Sequence, residues 1–250
     1  MAQGLVKNSL AAIILAAGKG TRMKSEMAKV LHSLAGKPMI LHVIDAAMGV
    51  VENIIVVVGT QAREVKSVVG SHSNISFAYQ SQQLGTGHAV LCAIPQLDES
   101  SKHILILCGD VPLITRSTLN NLMDVHLKNA NDLTVLGAVV DTPFGYGRIK
   151  QKGDGSVRCI VEEADATAEE KKITTVNTGI YCVEKTFLKK AIFSIQTDNA
   201  QGEMYLTDIV GIAANEHRSV GLSICSNNDE MVGINSQDDL KTAEALMALK

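Results

Sequence analysis

Three runs of the chain are continuously aliphatic: Ala11 to Leu15, Ile54 to Val58 and Ile104 to Leu107. A strand with one face in water alternates apolar and polar side chains, so unbroken runs of this length predict strands covered on both faces of a parallel sheet. Helical patterns lie between and after them, at Pro38 to Ala47, Ala62 to Val69 and His88 to Ile94. Pro38 stands where the first turn of a helix tolerates proline. Strand, helix, strand in succession predicts an α/β fold with right-handed crossovers. A fourth helix, Ser117 to Asn129, leads into a strand at Leu133 to Val140.

After Val140 the pattern changes. Gly145 to Glu163 reads as a hairpin that turns at Gly153, Asp154 and Gly155. Ala164 to Lys172 is polar and alanine-rich, which predicts a helix-prone, exposed excursion. A short apolar strand follows at Ile180 to Val183, then helices near Glu184 to Phe193 and Tyr205 to Asn215. A last strand at Val220 to Cys225 precedes a terminal helix from Gln237. The expected fold is α/β: a Rossmann-like, mostly parallel central sheet flanked by helices, with a smaller lobe that contains the hairpin. No internal repeat or linker divides it, so one domain is expected.

Composition narrows the partners. With 23 Lys and Arg against 26 Asp and Glu, the net charge is -3, which supplies no field for nucleic acid. Aromatics are 3% and Trp is absent, so a base-stacking platform is not expected either. Five scattered cysteines without a C-x-x-C pair read as reduced, mostly buried thiols of a cytoplasmic protein. Lys7 followed by the apolar run Leu10 to Ala17 has the outline of a secretory signal. The run is short and leads into a basic Gly-rich loop, which favours a strand and a phosphate loop instead. No stretch is long and apolar enough to cross a bilayer, and no membrane partner is expected.

Three segments carry chemistry. After the first strand comes L-A-A-G-K-G-T-R-M-K-S-E-M-A-K-V-L, Leu15 to Leu31. Gly18 and Gly20 let backbone N–H groups approach a triphosphate, and Lys19, Arg22, Lys24 and Lys29 bring positive charge. The dinucleotide fingerprint would need Gly at Met23, and a P-loop would need Ser or Thr directly after Gly-Lys, so neither motif fits. An ordinary Gly-rich turn with surface lysines is the plainer reading. The second segment is Q-S-Q-Q-L-G-T-G-H-A, Gln80 to Ala89, whose amides and glycines suit a nucleobase edge, or equally a strand-to-helix turn with Thr86 as N-cap. The third is C-G-D-V-P-L, where Asp110 falls just past a buried strand. That place suits a Mg²⁺ ligand, although a lone Asp there also serves as a cap or turn residue.

Together and in this order these segments resemble the sugar-phosphate nucleotidyltransferases, and within them the N-acetylglucosamine-1-phosphate uridyltransferases, the pyrophosphorylase domain of bifunctional enzymes. The likeness extends through G-Y-G-R-I, I-V-E, N-T-G-I, N-A-Q-G-E-x-Y-x-T-D-I and V-G-I-N. It implies that Arg22 and Lys29 hold the triphosphate as catalytic residues. Leu15, Ala17, Gly18, Gln80, Gly85 and Thr86 would bind the nucleotide, with uracil read by the last three. Asp110 and Asn235 would bind Mg²⁺, and Gly147, Glu162 and Asn177 would face the sugar. Residues 1–140 would then form the nucleotide part, 141–235 the sugar part and 236–250 a terminal helix. The implied substrates are UTP and N-acetylglucosamine 1-phosphate, with no nucleic acid, and a homo-oligomer is compatible with the resemblance.

The chain departs from that pattern where Ala28 replaces the usual Pro before Lys29, which predicts a less restrained backbone, and where Cys108 replaces a usual Tyr. Bifunctional members continue into a left-handed β-helix with acetyltransferase activity, so a separate chain or a longer parent sequence is expected to supply it. The implied reaction is in-line attack of the sugar phosphate on the α-phosphorus of UTP. It needs cations and Gly loops for positioning, and a Ser-His-Asp set is not apparent. The rivals are the same chemistry on another sugar or alcohol phosphate, a non-catalytic nucleotide-sugar sensor, and an oxidoreductase that Met23 argues against.

Overall fold

In the computed structural model, which describes residues 9–248, the aliphatic runs lie side by side. The chain order is β1 (Leu10–Ala16), β2 (Ser33–Leu34), β3 (Lys37–Pro38), α1 (Met39–Met48), β4 (Asn53–Val58), α2 (Ala62–Val69), β5 (Ile75–Tyr79), α3 (Thr86–Ala93), β6 (His103–Cys108) and α4 (Arg116–Lys128). It continues with β7 (Leu133–Val139), β8 (Arg148–Gln151), β9 (Val157–Val161), β10 (Thr175–Glu184), α5 (Lys185–Ala191), α6 (Asp208–Asn215), β11 (Val220–Ile224) and α7 (Gln237–Ala248). Lys7 lies outside the described residues, and the apolar run after it is an interior strand of a sheet, between β6 and β4. No helix among the described residues is long and apolar enough to cross a membrane.

The main sheet has the order β11-β7-β10-β6-β1-β4-β5. β1 pairs in parallel with β4 and β6, β4 with β5, and β11 with β7. The unbroken apolar runs follow from two covered faces. Leu10, Ala12 and Ile14 of β1 pack with Val43 and Ile44 of α1 and Leu119 and Leu122 of α4, while Ala11 and Ile13 pack with Val90 of α3, Phe187 of α5 and Ile209 of α6. Each fully buried Ile in such a layer stabilises the fold by about 1.5–3 kcal/mol. A third cluster, with Leu34, Met39, Leu113, Ile234 and Ala243, seats α7 against the loop that follows β6.

β10 differs from the expected short strand. It starts at Thr175, runs antiparallel between β6 and β7, and at Val176 carries the hairpin β8–β9 through Arg148. Its register breaks between Asn177 and Ile180. There the Thr178 hydroxyl donates to Leu136 O (2.7 Å) and accepts from Ile180 N (3.3 Å), replacing ladder bonds lost at the irregularity. Gly179 takes φ +78°, a left-handed conformation that glycine adopts without steric penalty.

The excursion from Ala164 to Lys172 is not a helix; only Glu170–Lys172 forms a 3-10 turn. Its alanine content is overruled by polar ties: Glu170 accepts from Thr167 N and Oγ1 at 2.9 Å each and pairs with Lys150. The nearby hairpin is held by buried Arg148, which meets Glu163 at 2.7 Å. The helix expected from Tyr205 starts only at Asp208, because Tyr205 and Leu206 are buried ahead of it. Pro38 precedes α1 as its N-cap and belongs to β3. Of the five unpaired cysteines, Cys182 and Cys225 are buried and the other three half-buried, fewer buried than expected.

Candidate active site

Parallel strands bring their carboxyl ends to one edge of the sheet, and β1, β5 and β6 each release a loop there. The first loop is pinned by Met23, which is 1% exposed. That anchor explains why glycine is not needed where the dinucleotide fingerprint would place it. Gly20 has φ +61°, and a Cβ there would lie 2.7 Å from Lys29 Cβ, so only glycine lets the loop close on Lys29. Ala28, buried ahead of Lys29, has φ -53° and ψ 132°. These values fall within the range of proline, so the backbone holds the restrained shape without it.

Lys29 and Asp110 form an ion pair, with side chains 14% and 20% exposed. The same ammonium donates to Asn235 Oδ1 at 3.0 Å, and Arg22 Nη2 donates to that oxygen at 2.9 Å. Asn235 is positioned from two sides. Ile234 N donates to Asp110 O (2.9 Å), and Asp239 Oδ2 accepts from Asn235 N (2.9 Å) and Ser236 N (2.8 Å) in a capping arrangement at the start of α7. Two cations therefore rest on the two oxygens that the sequence assigned to metal. One carboxylate and one amide oxygen already sharing a cationic nitrogen fit a divalent cation that favours oxygen ligands. Among the described residues no group of three or more His, Cys, Asp or Glu could hold a metal, so further ligands would come from phosphate and water.

Across the cleft, Gln80 is 4% exposed and its Nε2 donates to Gly85 O at 3.0 Å. Gly85 has φ +108°, and a Cβ there would lie 2.6 Å from Met204 O. Thr86 is not the N-cap that spacing allowed: it is the first residue of α3, and its hydroxyl accepts from Leu206 N at 3.0 Å. With Gly87 N donating to Met204 O (2.7 Å) and Met204 N to Leu84 O (2.8 Å), this loop is sewn to the N-A-Q-G-E segment. Gln83 Nε2 donates to Ala17 O at 2.7 Å and ties the first two loops together.

The loops enclose a cavity of about 460 Å³ whose lining includes Leu15, Ala17, Gly18, Arg22, Lys29, Gln80, Gly85, Thr86, Asp110 and Asn235. Gln83 and Glu203 line it too and were missed, although both lie inside quoted motifs. Cys108 also lines it, and burial together with the Asp110 charge pushes its thiol up to about 12, so it stays neutral.

Gly147, Glu162 and Asn177 are absent from that lining and gather in a second cluster. Asn177 N donates to Gly147 O at 2.8 Å, and a Cβ on Gly147 would sit 3.3 Å from Glu162 Oε2. Burial pushes the Glu162 carboxyl above its ordinary value, opposed by the Thr207 hydroxyl, which donates to Oε1 at 2.9 Å. Thr207 is a further residue the sequence reading passed over. The clusters adjoin through the Cys108 thiol, which donates to Gly179 O at 3.5 Å, two residues from Asn177.

The MobA-like NTP transferase domain matches residues 12–148, more than half of the chain. The chain belongs to this family. Among curated relatives of this NTP transferase chain, a protein from Trichlorobacter lovleyi named bifunctional protein GlmU is 48% identical over 238 residues, 95% of this chain and 52% of the relative. One of the same name from Geobacillus sp. is 44% identical over 237 residues, 94% of this chain and 51% of the relative. The chain thus spans about half the length of the curated relatives it matches. A solved structure described as UDP-glucose pyrophosphorylase complexed with UDP-glucose shares the fold, with a TM-score of 0.77 and 18% identity over 96% of this chain and 98% of that one. The NTP transferase match ends before Glu162, Asn177 and Asn235.

Proposed function

We propose that the protein transfers a uridylyl group from UTP to N-acetylglucosamine 1-phosphate, giving UDP-N-acetylglucosamine and pyrophosphate. The observation that carries this reading is the meeting of Arg22, Lys29, Asp110 and Asn235 at one end of a cavity whose other wall is the loop Gln80 to Thr86. Support comes from relatives named bifunctional protein GlmU and from the family's NTP chemistry.

In this reading the sugar phosphate oxygen attacks the α-phosphorus in line and pyrophosphate leaves. The nucleophile is already an anion, so the protein must align two anions that repel each other. Mg²⁺, held by Asp110 and Asn235, would supply charge neutralisation between them. Lys29 and Arg22 turn from these oxygens to phosphate, and the Gly18 turn brings backbone N–H groups to the triphosphate. Gln80, Gly85 and Thr86 face uracil. Glu162 accepts from sugar hydroxyls, and Asn177 and Gly147 border the acetamido group. Residues 1–140 serve the nucleotide and 141–235 the sugar, in a cytoplasmic setting that suits five unpaired thiols.

The test is pyrophosphate release from UTP, N-acetylglucosamine 1-phosphate and MgCl₂. Release is expected with at least about tenfold preference over glucose 1-phosphate, the scale of one unpaired polar group. Equal kcat/KM for the two sugars would shift the reading to another sugar phosphate.

A further inference from the structure

We propose that His88, acting with the Gly85 carbonyl, sets the base preference of the cleft by holding one end of the Gln80 amide toward it. This rests on the reading of Gln80 as the residue that meets the base.

The argument starts from a group with no choice of role. Gly85 O can only accept, so the atom of Gln80 that meets it at 3.0 Å is the nitrogen. That nitrogen lies 3.1 Å from His88 Nδ1. Its second hydrogen therefore points at the ring, and Nδ1 must accept. The imidazole then carries its proton on Nε2, on the side of Cys92 Sγ at 3.9 Å. Both hydrogens of the amide are consumed. Among the described residues none donates to Gln80 Oε1, and this oxygen is not sealed from solvent, while Gln80 itself lines the cavity.

What faces a base is thus an acceptor alone. Uracil offers N3–H at the centre of its pairing edge, whereas cytosine offers a bare ring nitrogen whose lone pair would oppose that of Oε1. A residue at 88 that cannot accept would leave the amide nitrogen held by Gly85 O alone, one acceptor instead of two, so the turned form that presents N–H and suits cytosine becomes easier to reach. His88 does not line the cavity, so it acts as a positioning residue through Gln80.

The experiment measures Kd for UTP and for CTP by calorimetry on the parent, His88→Phe, which keeps a ring without an acceptor, and His88→Asn, which keeps an acceptor. The UTP preference is expected to fall by about tenfold in His88→Phe and to be largely restored in His88→Asn, with KM for the sugar phosphate unchanged. A His88→Phe protein that keeps the parent's preference overturns the proposal, as does a parent with none. Long-range ¹⁵N–¹H spectra of the parent's imidazoles give a second readout that requires no variant to fold: the Nε2–H form of His88 is expected, and an Nδ1–H form overturns the proposal. Failure of the underlying reading shows up separately, as a parent that releases no pyrophosphate from UTP and sugar phosphate.

Discussion

The two residue clusters solve opposite electrostatic problems. At the ends of β1 and β6 the charges are compensated in advance: Asp110 is paired with Lys29, and Asn235 is bonded to Lys29 and Arg22. In the second cluster Glu162 is half-buried, with one hydroxyl donor and no cation among its hydrogen-bond or ion-pair partners in the described residues, and its neighbours Asp165 and Asp208 add to the penalty that burial places on its charge. The first arrangement holds its charges without a ligand: Lys29 is neutralised by Asp110, and the neutral Asn235 oxygen accepts from both Lys29 and Arg22. The second holds an acceptor with one donor, an arrangement that costs stability until a further donor meets it.

The largest expected effect tests the compensated cluster. Lys29→Ala should lower turnover by about 10² or more, the scale of a lost preorganised charge. Near-normal pyrophosphate release would remove Lys29 from the reacting set. Next, Asp110→Asn conserves shape and removes a charged oxygen, so half-activation by Mg²⁺ should move upward on the order of tenfold. A magnesium titration that overlays the parent's would show that the carboxylate binds no metal.

Glu162→Gln addresses the uncompensated cluster. KM for the sugar phosphate should rise about tenfold with KM for UTP unchanged, since a charged acceptor is lost from one substrate only. Its folded carboxyl value lies above the ordinary 4.5. Protonated Glu162 therefore favours the folded state, an advantage complete below the unfolded value and lost as pH rises through the raised one. At neutral pH the ionised group opposes folding, so the Gln variant should melt higher than the parent at pH 7 and lose that gain toward pH 4. Thermal melts at the two pH values check the sign. If the variant melts lower at pH 7, Glu162 is compensated after all.

The smallest effect is Ala28→Pro. The φ of -53° already suits proline, and the Ala28 N–H makes no hydrogen bond to the described residues. Stability should increase by about 0.4–1 kcal/mol through the unfolded chain, read from a denaturant midpoint with turnover unchanged.

The same contrast explains what the sequence disclosed. Unbroken aliphatic runs located β1, β4 and β6, and a glycine turn or an aspartate at their ends needed only local reading. The antiparallel course of β10 was hidden, because Thr175, Asn177, Thr178 and Gly179 interrupt its apolar character and its direction is decided by β6 and β7. Glu203 and Thr207 stood inside a quoted motif, but nothing in it told which cluster each would join. The segment around them meets its partners at long range, as with the 120 residues that separate Leu206 from Thr86. The hydrogen bond at Asn235 was equally invisible, since it joins Arg22 to a residue 213 positions away.

The break in β10 has a consequence in parity. Between Asn177 and Ile180 the strand advances three residues while β7 moves back by one, from Gly137 to Leu136, so two residues are surplus. Side chains alternate faces with a period of two, and an even surplus leaves that alternation in phase. Val176, Ile180 and Cys182 accordingly enter the same core layer on both sides of the break, and Tyr181 and Val183 the opposite one. Loss of Thr178 or Gly179 alone would invert one half of the strand relative to the other, moving Asn177 or Ile180 to the layer opposite its present one. Loss of both would preserve the layers and remove only the protrusion that meets Cys108. Length variation at this position is therefore tolerable to the fold in steps of two.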